Sequence, residues 1–198
     1  MSQSRYHYFV LYKPYDVLSQ FTDDTERKTL RDFGPFPKHV YPVGRLDRDS
    51  EGLLLLTDDN FTKHRLTEPN FGHERTYLAQ VERIPSDDAL QQLRNGIIID
   101  RKRTRPARVR LLGESPNLPE RAVPIRFRRN VPTTWIEITL REGRNRQVRK
   151  MTAAVGHPTL RLVRIRIASL SLTELSPGES RSLTKGEIEK LLQTISEK

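Results

Sequence analysis

Residues 53–56 are four consecutive leucines that follow directly on Gly52, and this run constrains the fold more than any other segment. Its length fits a β-strand, and it lacks the alternation of apolar and polar residues that marks a strand with one face in water. We therefore expect a strand that is buried on both faces. A chain of 198 residues can supply the surrounding core, as one large domain or as two small subdomains.

Several other segments are typical of strands. Alternation or short apolar runs predict strands at 6–12, 40–43, 75–82, 134–140 and 160–168. The last of these places Arg164 and Arg166 on the face opposite Val163. Between residues 100 and 130, the proline, arginine and glycine content predicts short strands joined by long loops.

Fewer segments are typical of helices. The pattern favours a short helix at 29–33 and only a weak one at 61–66. A helix between the N-cap Ser86 and the terminating Gly96 is well marked, and Thr184 and Glu187 form a capping box for a last helix. Because predicted strands outnumber helices and often follow one another directly, we expect an α+β fold with a mixed, largely antiparallel sheet.

The composition excludes several classes of protein. No apolar run reaches the roughly 18 to 20 residues that a bilayer span needs, and the first eight residues lack the apolar core of a signal peptide. A cytoplasmic protein is therefore expected. The chain has no cysteine, so it has no disulfide and no thiolate nucleophile, and its five histidines lack metal-ligand spacing.

The positive charge is concentrated in two stretches. The formal net charge is +10, but residues 101–129 carry +8 and residues 141–166 carry +7, so the remaining 143 residues sum to −5. A local, arginine-rich field is typical of a nucleic-acid binder, because phosphate contacts supply most of the sequence-independent affinity. The alternative is a solvated basic face that only keeps the protein soluble.

A polar turn precedes the leucine run. It begins at Gly44 and ends at Gly52, and it contains Asp47. The two glycines permit unusual backbone angles or a close approach, and polar residues at such a junction lie where a cleft floor meets its rim. From these residues alone, Asp47 is either a catalytic carboxylate or a capping or surface residue.

A second polar segment leads into a basic helix. From Asn145 onward, Val148, Met151 and Val155 share one helical face, which predicts docking on the core. At about 100° per residue, Arg149 lies at the edge of that face, within reach of a half-buried carboxylate. Two further basic residues lie nearly opposite and suit phosphates: Arg146 and Lys150. The alternative is a helix with snorkelling arginines.

The predicted strand at 75–82 brings an aromatic ring beside a guanidinium. Arg75 and Tyr77 lie on one face together with Ala79. Taken alone, Tyr77 is either a core residue or a residue of a site. The pair Lys13 and Pro14 after the first strand is a weaker signal, since it is common.

These four segments together resemble the RsuA/RluB/RluE family of ribosomal RNA pseudouridine synthases. The resemblance extends over nearly the whole chain, through 13–14 (Lys-Pro), 44–47 (Gly-Arg-Leu-Asp), 75–77 (Arg-Thr-Tyr) and 142–151 (Glu-Gly-Arg-Asn-Arg-Gln-Val-Arg-Lys-Met). Arg75 departs from the lysine of many relatives but keeps the charge. The resemblance implies the pseudouridine synthase catalytic fold over 1–198, as two α+β subdomains around a central cleft, without the N-terminal S4 domain of many relatives.

The resemblance also implies an activity: isomerisation of uridine to pseudouridine in ribosomal RNA, in particular 23S rRNA, by a monomer that needs no cofactor or metal. It implies that Asp47 is the essential carboxylate, that Tyr77 stacks on the uracil, and that Arg149 pairs with Asp47. Because the target bond is inaccessible in a stacked helix, the uridine must flip out. The residues expected to bind RNA are Arg45, Arg75, Arg144, Arg146, Lys150, Arg101, Lys102, Arg103 and Arg105.

Two other functions stay open on the sequence. A catalytically silent RNA-binding or ribosome-assembly protein would keep the basic field, but it would not need the set of Asp47, Tyr77 and Arg149. A metal-dependent nuclease would need clustered carboxylates, and Asp47, Asp49 and Glu51 superficially qualify.

Overall fold

The computed structural model describes residues 6–125, 129–173 and 175–197. The described strands are β1 (Tyr8–Lys13), β2 (Tyr41–Pro42), β3 (Glu51–Thr57), β4 (Arg75–Glu82), β5 (Ile98–Ile99), β6 (Lys102–Arg103), β7 (Arg108–Leu111), β8 (Thr133–Leu140), β9 (Thr159–Ile167), β10 (Leu170–Ser171) and β11 (Ser180–Ser182). The described α-helices are α1 (Asn60–Thr67), α2 (Asp87–Asn95), α3 (Gln147–Ala154) and α4 (Lys185–Ser196), and 3₁₀ turns span Leu30–Phe33 and Pro69–Phe71.

One mixed sheet dominates the described structure. Its strands follow the order β11-β1-β3-β9-β4-β8-β7, with β10 beside β9 and β2 beside β3. The pairing of β3 with β9 is parallel, whereas the other pairings in this sheet are antiparallel. The predicted α+β class with a largely antiparallel sheet is thus confirmed, and β4 begins and ends where the sequence predicted.

The leucine run forms the buried strand β3. Leu53 and Leu55 pack in a core with α4 on one face, and Leu54 and Leu56 pack in a second core with Leu30 on the other face. All four leucines are fully buried. The strand is therefore covered on both faces, as its lack of alternation predicted.

A third core lies at the other end of the sheet. Strands β4 and β8 contribute Ala79 and Ile138, and helix α3 contributes Val148 and Met151. This packing confirms that the basic segment docks through its apolar face. Val148 and Met151 are about one turn apart and both buried, so their packing holds the start of α3 against the sheet.

The two ends of the sheet meet where β3 runs beside β9. The parallel pairing places Gly52 opposite Arg164. Gly52 has φ +105°, and a Cβ built on it would lie 2.3 Å from the carbonyl oxygen of Arg164. A side chain at position 52 would therefore force the two strands apart, and glycine permits the contact.

The helix ends follow the expected chemistry. Ser86 caps α2, and Thr184 and Glu187 form the capping box of α4. Helix α1 is better defined than its sequence pattern indicated. Asp59 caps its first turn, and Leu66 in its last turn is buried. Among the described residues, no helix has both the length and the apolar character needed to cross a membrane.

Candidate active site

A cleft of about 580 Å³ opens where the turn before β3, the strands β4 and β9, and the segment before α3 meet. Six of the residues singled out from the sequence line it: Arg45, Asp47, Arg75, Tyr77, Arg144 and Arg146. They come from three segments that are distant in sequence. The fold therefore brings together half of the twelve site residues that the sequence predicted.

Asp47 lies on a turn that the backbone holds tightly. The amide of Ser50 donates to the carbonyl of Asp47 at 3.0 Å. One residue earlier, the Ser19 hydroxyl donates to the carbonyl of Leu46 at 2.8 Å and accepts from its amide at 3.1 Å. The Asp47 side chain keeps 32% of its surface exposed, so its carboxylate faces the cleft from a fixed backbone.

A buried lysine braces the same turn from below. The ammonium group of Lys13 donates to the carbonyl oxygens of Pro14 and Val17 at 2.7 and 2.8 Å and approaches that of Arg48 at 3.4 Å. Burial lowers the pKa of Lys13 to about 7, although the nearby carboxylate of Glu51 opposes this shift. The weak sequence signal at Lys13 and Pro14 thus corresponds to a support of the site.

The arginine facing Asp47 is Arg146. Its Nη1 lies 3.6 Å from Oδ2 of Asp47, and its two Nη atoms donate to the carboxylate of Asp49 at 2.9 and 2.8 Å. The expected pairing of Asp47 with Arg149 is therefore wrong: the carboxylate near Arg149 is that of Asp49, at 3.4 Å from Nε. Burial favours a raised pKa for Asp49, but the Arg146 hydrogen bonds and the Arg149 charge hold that pKa below its usual value.

Backbone geometry explains why Arg146, and not Arg149, faces Asp47. Arg146 precedes the first helical residue and has φ +51° and ψ +34°, in the left-handed region. That conformation costs a non-glycine residue about 1–2 kcal/mol and turns its side chain off the helical wheel. A wheel started at Asn145 placed Arg146 opposite the core, whereas the left-handed residue directs it to Asp47 and Asp49.

Arg149 instead ties backbone segments together. Its Nη2 donates to the carbonyl of Asp49 at 2.7 Å, and its Nη1 donates to that of Thr159 at 3.1 Å. Only 12% of its side chain is exposed, and burial lowers its pKa from the ordinary arginine value. Arg149 therefore holds the backbone of the turn that carries Asp47.

Tyr77 faces the cleft beside an arginine that sequence reasoning missed. Arg164 pairs with Tyr77 across β4 and β9, lines the same cleft, and is 3% exposed. Its Nε donates to the carbonyl of Leu53 at 2.8 Å. The sequence placed Arg164 on an arginine face of its strand, but only the strand register shows that it lies next to Tyr77.

The remaining basic residues divide between the rim and its surroundings. Arg144 donates to the carbonyls of Ile99 and Lys102, which holds the β5–β6 hairpin at the cleft rim. Four expected RNA-binding residues of that hairpin and its flanks do not line this cleft: Arg101, Lys102, Arg103 and Arg105. Lys150 pairs with Asp100 at 2.6 Å, outside the cleft lining.

The carboxylates that suggested a metal site in the sequence lie next to arginines. Asp49 is held by Arg146, and Glu51 accepts two hydrogen bonds from Arg161 at 2.9 and 2.8 Å in a buried pair. Within the described ranges, no group of three or more histidine, cysteine or acidic residues could hold a metal ion. The contacts of Asp47, Asp49 and Glu51 therefore give no support to the nuclease alternative.

Comparison with known proteins adds a family and several relatives. The model of the family described as RNA pseudouridylate synthase matches residues 7–154. Ribosomal large subunit pseudouridine synthase E from Vibrio vulnificus is 51% identical over 172 residues, which cover 87% of this chain and 73% of that protein. Ribosomal large subunit pseudouridine synthase B from Bacillus subtilis is 40% identical over 185 residues, covering 93% of this chain and 70% of that protein.

A solved structure shows the same fold. It is described as a crystal structure of pseudouridylate synthase, and it superposes with a TM-score of 0.78 at 31% sequence identity. The match covers 94% of this chain and 74% of that one. Both the sequence and the fold of the chain therefore match proteins of the same kind.

Proposed function

Because the chain belongs to the RNA pseudouridylate synthase family, as its four motifs predicted, we propose that it isomerises a uridine of ribosomal RNA at the Asp47 cleft. The supporting observation is the position of Asp47: a carboxylate on a braced turn, partly exposed in the cleft and 3.6 Å from the guanidinium of Arg146. A neighbouring positive charge favours the ionised carboxylate, which a nucleophile or a base requires.

The reaction rearranges atoms without adding any. The N1–C1′ bond of the uridine breaks, the uracil turns, a C5–C1′ bond forms, C5 loses its proton and N1 gains one. The carboxylate of Asp47 acts at the sugar, and the ring of Tyr77 stacks on the flipped base, recovering part of the stacking lost on leaving the helix. The guanidinium of Arg146 stabilises the negative charge of Asp47. Arg149 holds the turn that carries Asp47 through its hydrogen bond to the carbonyl of Asp49.

The names of the relatives support a more specific proposal for the substrate. Segments 13–18 and 20–23 of the sequence resemble ribosomal large subunit pseudouridine synthase E, and the Vibrio relative of that name is 51% identical. We therefore propose large-subunit RNA as the substrate of this chain, while the monomeric state and the cytoplasmic location expected from the sequence stay predictions. Arg45, Arg75 and Arg144 on the cleft lining supply positive charge for its phosphates.

The test is the conversion of uridine by the purified protein. Wild type should form pseudouridine in large-subunit RNA, and Asp47→Asn should form none while its RNA affinity stays within a few-fold. Asp88→Asn is the matched control, because Asp88 is an exposed carboxylate in the first turn of α2. Turnover by Asp47→Asn above a small percentage of wild type would refute the assignment.

The same assay separates the enzyme from a silent RNA-binding protein. A silent protein would bind RNA with and without the Asp47 carboxylate, and neither form would convert uridine. Mapping pseudouridine in total RNA from a strain that lacks the protein identifies the position: the enzyme predicts one missing modification, whereas the silent protein predicts none.

A further inference from the structure

A second cleft of about 460 Å³ adjoins the catalytic one. Arg146 lines both, and Asp49 lines only the second. The second cleft therefore begins on the far side of the guanidinium that faces Asp47. A nucleotide next to a target uridine in the first cleft would pass this guanidinium on its way to the second cleft.

The walls of the second cleft combine an aromatic ring with a guanidinium plane. Arg121 lies over the ring of Tyr15, with its central carbon 4.1 Å from the ring centroid. Both residues are partly exposed and line the cleft. Single-stranded RNA bases are commonly bound by stacking on such aromatic rings and arginine planes.

Apolar side chains and positive charge complete the lining. Ile125, Pro158 and Leu160 give an apolar wall. The charged groups of the lining are three arginines and one carboxylate: Arg121, Arg146, Arg149 and Asp49. The excess of two positive charges suits a phosphodiester, and the apolar wall beside a stacking plane suits a base.

We propose that the second cleft binds the nucleotide next to the target uridine, with its base stacked on the Arg121–Tyr15 pair and its phosphate directed towards Arg146. This subsite rests on the proposed function, since it assumes that RNA enters the Asp47 cleft. The subsite lets the enzyme bind the RNA strand at a nucleotide other than the one that reacts. Because stacking tolerates every base, it strengthens binding and orients the strand without selecting a sequence.

The experiment uses Tyr15→Ala, Arg121→Gln and the matched control Tyr41→Ala in the full chain. Tyr41 is an exposed tyrosine whose ring lies 5.2 Å from the Lys63 ammonium, and it lines neither cleft. Equilibrium binding and single-turnover rates are measured with an RNA containing the target uridine, and with two RNAs carrying an abasic residue on its 5′ or its 3′ side. Thermal melting verifies that each variant is folded.

Removing the base of one neighbour should weaken wild-type binding about 10- to 100-fold, the range expected for one lost stacking contact. Tyr15→Ala and Arg121→Gln should bind intact RNA correspondingly more weakly and lose this discrimination, with single-turnover rates at saturating RNA close to wild type. Tyr41→Ala should behave as wild type. Equal binding of all three RNAs by wild type, or unchanged discrimination in Tyr15→Ala, would overturn the subsite.

The binding measurement separates this inference from the proposed function. Abasic discrimination that depends on Tyr15, in a protein that forms no pseudouridine, would support the subsite and refute the proposed activity. Pseudouridine formation without such discrimination would refute the subsite and leave the activity standing.

Discussion

At the scale of single residues, the two arginines near the catalytic turn should separate in their effects. Arg146→Met removes the cation that faces Asp47, so activity should fall at least about 100-fold, a loss of roughly 2.7 kcal/mol in transition-state stabilisation. Its effect on melting should be small, because the side chain is 42% exposed. Single-turnover rates and thermal melting test both parts, and a wild-type rate in Arg146→Met would contradict the pairing.

Arg149→Met should reduce both activity and stability. The variant leaves the carbonyls of Asp49 and Thr159 without their donors, and the loss of a buried charged donor costs about 2–4 kcal/mol. Chemical denaturation measures that change. Full stability in Arg149→Met would show that the guanidinium does not support the turn.

Tyr77 offers a way to separate stacking from proton chemistry. Tyr77→Phe keeps the ring, so RNA binding should stay near wild type, whereas Tyr77→Ala should weaken binding of the flipped base by about 1–3 kcal/mol. If the hydroxyl takes part in removing the C5 proton, Tyr77→Phe should stall at that step. Wild-type kinetics in Tyr77→Phe, with a defect only in Tyr77→Ala, would limit Tyr77 to stacking.

Local sequence patterns left Asp47 and Tyr77 each with a purely structural alternative, and the family resemblance selected them as site residues; both line the cleft. The pairing of Asp47 with Arg149, which the resemblance implied and a regular helical wheel allowed, is wrong because Arg146 adopts a left-handed conformation and faces Asp47 instead. Sequence reasoning also missed Arg164 as a site residue, because the contact with Tyr77 depends on strand register. Local patterns therefore supply candidate residues and the resemblance selects among them, but contacts between distant segments require the fold.

At the scale of elements, the capping box of α4 should make stability depend on pH. Hydrogen bonds from Arg181 lower the pKa of Glu187 to about 2, from an ordinary value of 4.5. A lowered carboxyl pKa contributes stability that is present above the unfolded value and is lost as pH falls from about 4.5 towards 2. Solvent screening limits the contribution to about 1 kcal/mol.

The measurement compares wild type with Glu187→Gln by denaturation between pH 7 and pH 2. The difference in unfolding free energy should be constant above pH 5 and should shrink as the pH falls through 4.5. A difference that stays constant down to pH 2 would show that the ion pair with Arg181 contributes nothing.

Elements were predicted most accurately where a single pattern determines them. Strand β3 follows from four leucines, and α2 follows from a cap at each end. Helix α1 was underrated, because its stability comes from the Asp59 cap and tertiary packing rather than from amphipathic spacing. The parallel pairing of β3 with β9 has no local signature, so only the structure shows it.

At the scale of the whole molecule, the basic field should control how the protein finds RNA. The variant replaces four basic residues with serine: Arg101, Lys102, Arg103 and Arg105. It should flatten the dependence of binding on salt and raise the apparent KM. Each neutralised phosphate contributes a slope of roughly −0.7 to −0.9. The single-turnover rate at saturating RNA should change little, because none of the four lines the cleft.

A salt series of binding and kinetics decides between two paths for the RNA. An unchanged slope in the quadruple variant would make the hairpin region a solvated basic surface. The RNA would then run along Arg144, Arg146 and Lys150 instead.

The contact between Gly52 and the Arg164 backbone has a consequence for how enzyme and substrate fit each other. Asp47 precedes β3 and Tyr77 lies on β4 beside β9, and β3 and β9 are already in backbone contact, so the floor between the two residues cannot close further. A rigid floor cannot mould itself around a base. We therefore expect the RNA to undergo the large deformation on binding, and local looseness around the uridine to govern which sites are modified.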